Sequence, residues 1–439
     1  MTEWSLFFDG WIIAIAATCA IACALPGCFL VLRRMSLMGD AISHAVLPGI
    51  AIGFLLTGSR SNGIMFAGAI LAGFLTAFFS QWLKRFGRVD EGAAMGVVFT
   101  TLFAIGLLLI VRGADSVDLD PSCVLYGALE FAPLDLVTLP LTGGLEVPRA
   151  FLMVAVVLLI NLGVLILCFK AFRIAAFDPE QAKAQGMHPD LMHHLLMGMT
   201  AITTVASFEA VGSIIVVAMI IVPAVTARLF AHRLTTMFCL ASFFALISAV
   251  LGHLGAVELP HLIGYGSVPT SGMIAVTGGV TLFVAILINP DRGVVPRMTR
   301  RWRFRFQTTS EDLLALAWRL EERGVQTSTR ILTHDLMTAR HVSRIEIGWI
   351  LRRLLTKGAF ERHDDTISLT DAGRLRATTL VRSHRLWEAW LAKSAGIAPD
   401  HVHETAMRLE HVTDDAMLEQ LAEETGTPTT DPHGRSIPE

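Results

Sequence analysis

The chain has 439 residues, of which 53% are hydrophobic and 17% charged, and its formal net charge at pH 7 is −3. This composition is too apolar for an ordinary soluble protein of that length, and the near-neutral charge favours no class of partner. The charge is also unevenly placed, since residues 1–289 carry 29 of the 73 Asp, Glu, Lys and Arg residues and residues 290–439 carry 44. We therefore expect a membrane domain over residues 1–290, followed by a soluble part.

The membrane domain contains nine apolar runs, each near the roughly 20 residues that cross the hydrocarbon core of a bilayer as a helix. This pattern predicts an all-α polytopic membrane protein with about nine transmembrane helices. The division between the sixth and seventh runs is open, because Glu209 interrupts them. The runs lie near residues 11–32, 41–57, 63–83, 92–111, 150–170, 191–208, 211–230, 234–256 and 271–289.

Lys and Arg gather on every second connection between these runs, whereas the intervening connections carry mainly Asp and Glu. Positive residues mark the cytoplasmic side of a membrane protein, which places the N-terminus outside and the C-terminal domain in the cytoplasm. An odd number of spans, such as nine, places the two termini on opposite sides of the membrane, whereas eight spans would place them on the same side. The connection at 112–149 is long, and the sequence leaves open whether it forms an external or a re-entrant segment.

Two ionisable residues stand at the start of the second run, within the stretch Arg33–Gly49. Asp40 and His44 are four residues apart, which brings them onto one face of a helix. Ionisable residues in a membrane segment usually face a cavity and mark a pathway, and a carboxylate with an imidazole suits a divalent transition metal. The alternative is a helix cap, in which Asp40 bonds to nearby backbone and His44 is only a polar residue at the interface.

The cytoplasmic connection Phe177–Gly186 predicts a short capped helix. Asp178 is expected at the N-cap and Pro179 at the first helical position, with Gly186 ending the helix. Such a helix is either a simple connector or the part of a permease that docks onto a motor subunit.

On these motifs the membrane domain resembles the permease subunits of metal-ion ABC importers, which bring in zinc, manganese or ferrous iron. The resemblance covers about residues 5–290. It implies a dimeric permease in the bacterial cytoplasmic membrane, cytoplasmic ABC ATPase subunits, and an external metal-binding protein that delivers the ion. The residues that carry it are Arg34–Gly49, Phe177–Gly186, Ser207–Ser213 continuing to Pro223–Ala227, and Pro269–Gly272.

Carried over by position, Asp40 and His44 match the pair that meets the ion in the pathway. Glu209 is a further intramembrane acid that fits the pathway, with a purely structural role as the alternative. The Gly-rich pieces of the chain lack the Lys that follows in a phosphate-binding loop, so we expect no nucleotide on this chain, no enzyme activity, and ATP hydrolysis in a separate subunit. The residues that match the ATPase-coupling helix are Asp178, Pro179, Glu180, Ala182 and Gly186.

The soluble part begins with an Arg-rich linker at 291–307, whose arginines and aromatic residues suit either an anionic membrane surface or a solvated leader. Residues 308–370 predict a winged helix-turn-helix, with three helices, the first capped by Ser310, and an alternating two-stranded wing. Residues 371–439 predict a further helical domain. Its helices are expected near Asp371–Ser394, 399–411 and 414–425.

Over about residues 308–439 the chain resembles the iron- and manganese-dependent repressors of the DtxR/MntR family. The motifs that carry this resemblance are Arg382–Glu388, His403–Val412 and Asp431–Pro438, and ligand-type residues recur at helical spacing in the first two. The resemblance implies that residues 371–439 form a helical metal-sensing and dimerisation domain and that there are two metal sites. One would comprise His384, Glu388 and His403, and the other would comprise Asp312, Met407, Glu410 and His411.

The expected cofactor is a divalent transition metal ion. Asp312 stands where iron-type members of the family have methionine and manganese-type members have aspartate, which favours a harder ion. The thioether of Met407 favours a softer one. Manganese is therefore the first choice, with iron and zinc close behind.

DNA is a less favoured partner than the repressor resemblance implies. In the region of the recognition helix, Glu346 would be repelled by phosphate, and Trp349 suits a protein contact. Arg344, Arg352 and Arg353 nevertheless keep this region basic.

We expect the tail to sense cytoplasmic metal and to restrain transport when the ion is plentiful, because a dimeric permease would bring two tails together. Two alternatives remain open at this point. The protein could be a metal effluxer or gradient-driven carrier, or it could be a membrane-tethered, metal-dependent transcription regulator whose membrane domain is mainly an anchor.

Overall fold

The computed structural model of the chain describes residues 5–35, 37–57, 62–113, 129–138, 146–264, 268–340, 342–363 and 366–438. Most of these residues are helical. They form two compact units, Met1–Pro296 and Arg297–Glu439, and each unit has its own buried apolar core. The predicted fold class, an all-α membrane protein followed by a winged helix and a helical domain, is confirmed.

The first unit is a bundle of helices that follow the predicted apolar runs. Among the described residues, eight segments are long and apolar enough to cross a bilayer, with α2 and α3 counting as one. The seventh predicted span is α9, whose apolar part, Ile215–Phe230, is shorter, so the ninth span of the prediction depends on this helix. The helices are α1 Leu6–Leu32, α2 Met38–Ala45, α3 Leu47–Thr57, α4 Asn62–Gly87, α5 Glu91–Gly113, α6 Arg149–Phe177, α7 Pro179–Ala184, α8 Pro189–Val211, α9 Ser213–Phe230, α10 Leu234–Ile263 and α11 Thr270–Ile288.

Helix α1 lies at the centre of this bundle. Its Cys19, Cys23 and Phe29 are buried, and it packs against α6, α8, α9 and α10. The outward faces of α3 and α6 instead expose large apolar side chains such as Leu56 and Leu167. Extensive exposed apolar faces around a buried central helix are expected where the bundle is surrounded by lipid.

The second predicted span is divided into α2 and α3 at Val46. Pro48 lacks the backbone N–H that would otherwise bond to the carbonyl oxygen of His44, so the helix cannot continue regularly through this point. Gly49 keeps α3 close to α4, because a Cβ atom there would collide with the carbonyl oxygen of Gly68. The break sets apart the short α2, which carries Asp40 and His44 of the predicted pathway.

The long connection after α5 is described only near its end. Two short antiparallel strands lie there, β1 Leu136–Thr138 and β2 Glu146–Pro148. Glu130 Oε1 accepts a hydrogen bond of 2.7 Å from the backbone N–H of Thr270 at the start of α11, which fixes this end of the connection to the bundle. The prediction of an external or re-entrant segment falls mainly on residues 114–128, which lie outside the described residues.

The second unit begins with the predicted winged helix-turn-helix. Three helices surround a core that includes Leu313, Leu332 and Ile350, and strand β3 pairs antiparallel with β4 so that Phe360 faces Leu369. A long helix and two shorter ones follow, close to their predicted positions. The elements are α12 Val294–Glu322, α13 Thr329–Arg340, α14 Arg344–Thr356, β3 Phe360–His363, β4 Thr366–Leu369, α15 Asp371–Lys393, α16 His403–Leu409 and α17 Asp415–Thr425.

Helix α12 begins earlier than the sequence predicts. The prediction places an N-cap at Ser310 after the linker at 291–307, whereas the helix runs without interruption from Val294. The Ser310 hydroxyl donates to the carbonyl oxygen of Phe306 at 2.6 Å, so it is engaged inside the helix. The capping prediction is wrong because residues 297–322 contain neither Pro nor Gly, and Arg is a good helix former.

Candidate metal centres

The membrane unit brings Asp40 and His44 together, as their spacing predicts. Asp40 lies in the first turn of α2 and His44 in its last turn, and His44 Nε2 is 3.3 Å from Asp40 Oδ1. The side chain of His44 is 34% exposed and that of Asp40 is 40% exposed. The imidazole contacts the rings of Phe99 and Phe103 on α5, with centroids 6.0 and 5.9 Å away. The pair is therefore half-open, with an aromatic wall on one side.

The alternative interpretation of Asp40 as a helix cap finds no support here. The N-terminus of α2 has no side-chain cap, and within the described part of the chain the Asp40 carboxylate accepts no hydrogen bond from a backbone N–H. Its contact is with the imidazole of His44. A role of the pair as metal ligands stays a prediction.

Glu209 lies on α8, a different helix from that of Asp40 and His44. It is an exposed residue two positions before the end of α8. Among the described residues, no group of three His, Cys, Asp or Glu side chains with ligand atoms within 4.8 Å contains Glu209, Asp40 or His44. Its assignment to the pathway stays a prediction.

The connection Phe177–Gly186 forms the short helix that the sequence predicts. Asp178 Oδ1 accepts a hydrogen bond of 2.9 Å from the backbone N–H of Gln181, Pro179 opens helix α7, and Gly186 follows it with a φ of 75°. A left-handed residue at this place is typical of glycine. Ala182 is buried against the bundle, whereas Glu180 is exposed. The capping prediction is confirmed, and the role in coupling stays a prediction.

A cavity connects this short helix with the start of α2. It has a volume of about 750 Å³ and is lined by Met38 of α2, by Pro179 and Lys183 around α7, and by Arg33 and Lys84. Helix α7 and the start of the helix that carries Asp40 and His44 therefore line the same cavity.

In the second unit, His384, Glu388 and His403 form a compact three-residue centre. His384 Nε2 lies 3.1 Å from Glu388 Oε1 and 3.1 Å from His403 Nδ1, and His403 Nδ1 lies 2.8 Å from Glu388 Oε1. Two of the ligands come from one face of α15 and the third from the start of α16. His384 and Glu388 are buried, while His403 is 46% exposed. We refer to these three residues as centre A.

Asp312, Glu410 and His411 form a second group, centre B, whose ligand atoms lie within 4.8 Å of one another. His411 Nε2 is 3.3 Å from Asp312 Oδ1 and 3.6 Å from Glu410 Oε1. Helix α12 supplies Asp312, and the 3-10 turn after α16 supplies the other two. Met407, predicted for the same site, is half-buried on α16 four residues after His403, and its role stays a prediction.

The two centres share a contact that links them. Glu410 Oε2 lies 2.6 Å from His384 Nδ1, so this carboxylate faces centre A with one oxygen and centre B with the other. The side chains of Glu410 and His384 are 2% and 4% exposed. The buried side chain of Glu410 therefore contacts residues of both centres.

The electrostatics of both centres favour closely paired charges. Burial alone would lower the pKa of His384, but its close contacts with Glu388 and Glu410 raise it above the usual value. Burial would raise the pKa of Glu388, yet contacts with His384 and His403 hold it well below its usual range. Burial disfavours the charged form of His411, but its contacts with Asp312 and Glu311 favour that form. The net effect raises the pKa of His411 to about 9. A divalent cation would replace imidazolium protons at these positions.

The donor atoms present fit a divalent transition metal. His384 Nδ1 and Glu410 Oε2 are buried and lie 2.6 Å apart, so each satisfies the other. In each centre the three ligand-type atoms lie within 4.8 Å of one another, which is close enough for one ion to contact all three. Imidazole nitrogen and carboxylate oxygen together suit manganese, iron and zinc.

Two side chains near the centres are missing from the sequence prediction. Glu311 Oε2 lies 2.7 Å from His411 Nδ1, and His433 Nε2 lies 4.0 Å from Glu388 Oε1. Helical spacing could not identify Glu311. This residue is next to Asp312 in the sequence, and the side chains of consecutive residues point about 100° apart on a helix. His433 is within the motif Asp431–Pro438, which is remote from Glu388 in the sequence and approaches it only through folding.

The C-terminal segment is held beside centre A by a buried arginine. Arg385 pairs with both carboxylate oxygens of Glu322 at 3.1 and 2.7 Å and also donates to the carbonyl oxygen of Ser436. Asp431 Oδ1 accepts a hydrogen bond of 2.9 Å from the backbone N–H of His433. Arg385 thereby joins α12, α15 and the C-terminal turn around the residues of centre A.

Comparison with known proteins agrees with this division of the chain. Residues 6–289 match the family model described as the ABC 3 transport family. The chain belongs to this family. Residues 370–439 match the model described as the iron dependent repressor, metal binding and dimerisation domain. Both resemblances inferred from the sequence motifs are confirmed.

Two curated relatives and one solved structure illustrate the match. The manganese transport system membrane protein MntD of Bacillus subtilis (strain 168) is 43% identical over 294 residues, which cover 67% of this chain and 96% of the relative. The zinc transport system membrane protein TroD of Treponema pallidum (strain Nichols) is 35% identical over 369 residues, covering 82% and 96%. The structure of PsaBC from Streptococcus pneumoniae in complex with Fab is 31% identical with a TM-score of 0.53, covering 65% of this chain and 93% of that one.

Proposed function

We propose that this protein is the permease subunit of an ATP-driven importer of divalent transition metal ions, with manganese the first choice and iron or zinc close behind. Its C-terminal unit senses the same class of ion in the cytoplasm and restrains transport when the ion is plentiful. The observation that carries this proposal is the presence, in one chain of a transport family, of a half-open Asp–His pair in a membrane helix and of two buried His–carboxylate centres.

The membrane unit supplies the pathway in this proposal. Asp40 and His44 meet the ion, Glu209 is a weaker candidate, and α7 docks onto a cytoplasmic ABC ATPase subunit. The cavity shared by α7 and the start of α2 supports this coupling. An external metal-binding protein delivers the ion, and a second permease copy completes the membrane dimer. The chain lies in the bacterial cytoplasmic membrane with its N-terminus outside and its C-terminal unit inside.

The C-terminal unit supplies the sensor. Its ligands come from α12, α15, α16 and the following turn, so a bound ion would join elements that are distant in the sequence. Binding would stabilise their packing, because a ligand that binds only the folded arrangement shifts the equilibrium towards it. This gives metal occupancy a structural consequence that a permease can use.

Nucleic-acid binding is less consistent with the surface of α14. Ile345 and Trp349, four residues apart on this helix, are 77% and 68% exposed. Glu346 is tied to Arg305 at 2.7 Å. Groove-reading helices present polar groups to base edges and phosphates, whereas two large apolar side chains on one helix face suit contact with protein.

The transport step is tested by the energy source. The tagged chain purified from native membranes should bring an ATPase with it, and uptake of radioactive manganese by vesicles should depend on internal ATP. A gradient-driven carrier or effluxer would instead respond to an ionophore at constant ATP. Uptake that is independent of ATP would contradict the proposal.

The sensing step is tested with right-side-out vesicles loaded with increasing internal manganese. Internal metal should inhibit uptake by the full chain, but not by a chain ending at Gly293 or by the full-length His384→Ala variant. His401→Ala is the matched control, since His401 is 78% exposed and lies in neither centre. Equal inhibition of the full chain and both altered chains would overturn the regulatory role while leaving the transport role intact.

A further inference from the structure

The second unit contains an open cavity of about 1020 Å³ that holds no ligand atom of centre A or centre B. It lies between the first half of α12, the end of α14 and the first half of α15. Four cationic side chains and two aromatic rings face it. They are Arg303, Arg353, Lys357, Arg376, Trp302 and Phe306.

Among the described residues these four cations have no acidic partner, in contrast to two other arginines of the same unit. Arg305 pairs with Glu346 at 2.7 Å, and Arg374 pairs with Glu321 at 2.8 Å. In the part of the chain that the structure describes, none of the four cavity cations makes an ion pair. Arg353 is held in place by the ring of Phe306, with its guanidinium 5.1 Å from the ring centroid.

The carboxylate among the described lining residues does not neutralise them. Glu311 Oε1 accepts a hydrogen bond of 2.9 Å from Gln307, and Oε2 lies 2.7 Å from His411 Nδ1. Both oxygens are therefore directed at partners other than the four cations. Positive charges gathered around one space repel each other unless an anion joins them.

We propose that this cavity binds a phosphate-bearing anion. Guanidinium groups match pairs of phosphate oxygens, so Arg353 and Arg376 hold the phosphate, and the ammonium group of Lys357 and the guanidinium of Arg303 complete its charge neutralisation. Trp302, which is 72% exposed, offers a flat apolar surface to the part of the ligand next to the phosphate. Two sources share this chemistry: a soluble phosphate compound of the cytoplasm and the headgroup of an anionic phospholipid.

The test uses the full-length chain in a neutral detergent and isothermal titration calorimetry with three separate probes. Inorganic phosphate and glycerol 3-phosphate represent the soluble source, and monomeric dihexanoyl phosphatidylglycerol represents the lipid. Arg353→Gln and Arg376→Gln should each weaken binding by about tenfold, the usual loss for one charge-assisted contact. Arg352→Gln is the matched control, because Arg352 is an exposed neighbour on α14 that does not line the cavity.

Tighter binding of the lipid probe would identify the headgroup as the source, and tighter binding of either soluble probe would identify a cytoplasmic phosphate compound. Both results require that Arg352→Gln remains within about twofold of the unaltered chain. Absence of binding by the unaltered chain, or equal affinities in all variants, would overturn the proposal. So would duplex DNA that binds more tightly than every probe and is weakened as much by Arg352→Gln as by Arg353→Gln.

Discussion

The two metal-type regions of this chain differ most in how completely the protein surrounds the ligand atoms. In the membrane unit, Asp40 and His44 form a pair that is more than one third exposed. In the C-terminal unit, which we propose to be cytoplasmic, the side chains of His384, Glu388 and Glu410 are between 2% and 4% exposed and contact one another from several elements. One region presents an open pair on a single helix, and the other a buried network.

This difference matches the two tasks proposed for the chain. A transport site must attract an ion and then release it, so binding must stay weak enough for the ion to leave. A sensor must hold its ion long enough for the fold to respond, which favours several donors from different elements. The comparison predicts that substitutions in the membrane unit abolish transport without unfolding the protein, whereas those in the cytoplasmic unit change affinity, stability and regulation.

The largest effect is expected at the membrane pair. Asp40→Asn or His44→Ala should abolish uptake of radioactive manganese, because each variant removes one of only two ligand-type groups on α2. The initial uptake rate in vesicles measures this. Assembly should be unchanged, as judged by size-exclusion chromatography of the membrane complex.

Matched controls are Asp291→Asn and His232→Ala, whose side chains are 61% and 86% exposed and pair with each other rather than with a residue of α2. Near-normal transport by both pathway variants would return Asp40 and His44 to a structural role. Glu209→Gln should reduce uptake less than Asp40→Asn does, because Glu209 is an exposed residue near the end of α8, whereas Asp40 lies 3.3 Å from a second ligand-type side chain, His44. An equal loss at Glu209 would place it in the pathway after all.

The contrast between the regions also shows what the sequence could and could not predict. Pairs on one helix, such as Asp40 with His44, follow from the period of 3.6 residues and were predicted correctly. The contact of Glu410 with His384 joins two separate elements, and periodicity gives no information about how those elements pack. For the same reason the sequence assigned Glu410 to one predicted site only and gave no sign that it also contacts His384 of the other.

The prediction of helix boundaries from local signals has a similar limit. Asp178, Pro179 and Gly186 each act on their own backbone, so the local signals predicted α7 correctly. Ser310 carries the same kind of signal, yet its hydroxyl bonds within a continuous helix. A capping residue predicts a helix start only where the preceding residues do not themselves favour a helix, and the Arg-rich segment before Ser310 does.

The next largest effect is expected at the link between the centres. Glu410→Gln should weaken manganese binding to the cytoplasmic unit by about 10- to 100-fold, the loss that often follows even indirect changes at a metal site. Both centres should be affected, since Glu410 faces His384 and His411. Calorimetry on the full-length chain, with His44→Ala present to remove the membrane pair, measures this loss.

Glu404→Gln is the control for this variant, because Glu404 is an exposed residue of α16 with the same charge. If Glu410→Gln altered only one binding event and left the other untouched, the two centres would be independent and the proposed link would fail.

A smaller effect, on stability, is expected at the buried arginine. Arg385→Ala leaves the buried carboxylate of Asp431 and the 33% exposed carboxylate of Glu322 without this cation, and it should lower the free energy of unfolding of the cytoplasmic unit by about 3 kcal/mol. Arg374→Ala removes the more exposed pair with Glu321 and should cost about 1 kcal/mol or less. Hydrogen exchange along α15 compares the two. Equal protection in both variants would show that the C-terminal turn does not depend on Arg385.

The smallest effect is expected at the N-cap of α7. It distinguishes a role of α7 in coupling from a role in metal binding. Asp178→Ala removes the hydrogen bond to the Gln181 N–H and should destabilise α7 by about 1 kcal/mol. Because α7 and the start of α2 line one cavity, a loosened α7 should lower ATP-dependent uptake a few-fold while the affinity for manganese stays the same. Glu180→Gln, an exposed change next to the cap, is the control for the cap itself. A lower metal affinity in Asp178→Ala would mean that α7 positions the pathway residues directly, so that the open pair of the membrane unit depends on distant packing as much as the buried network does.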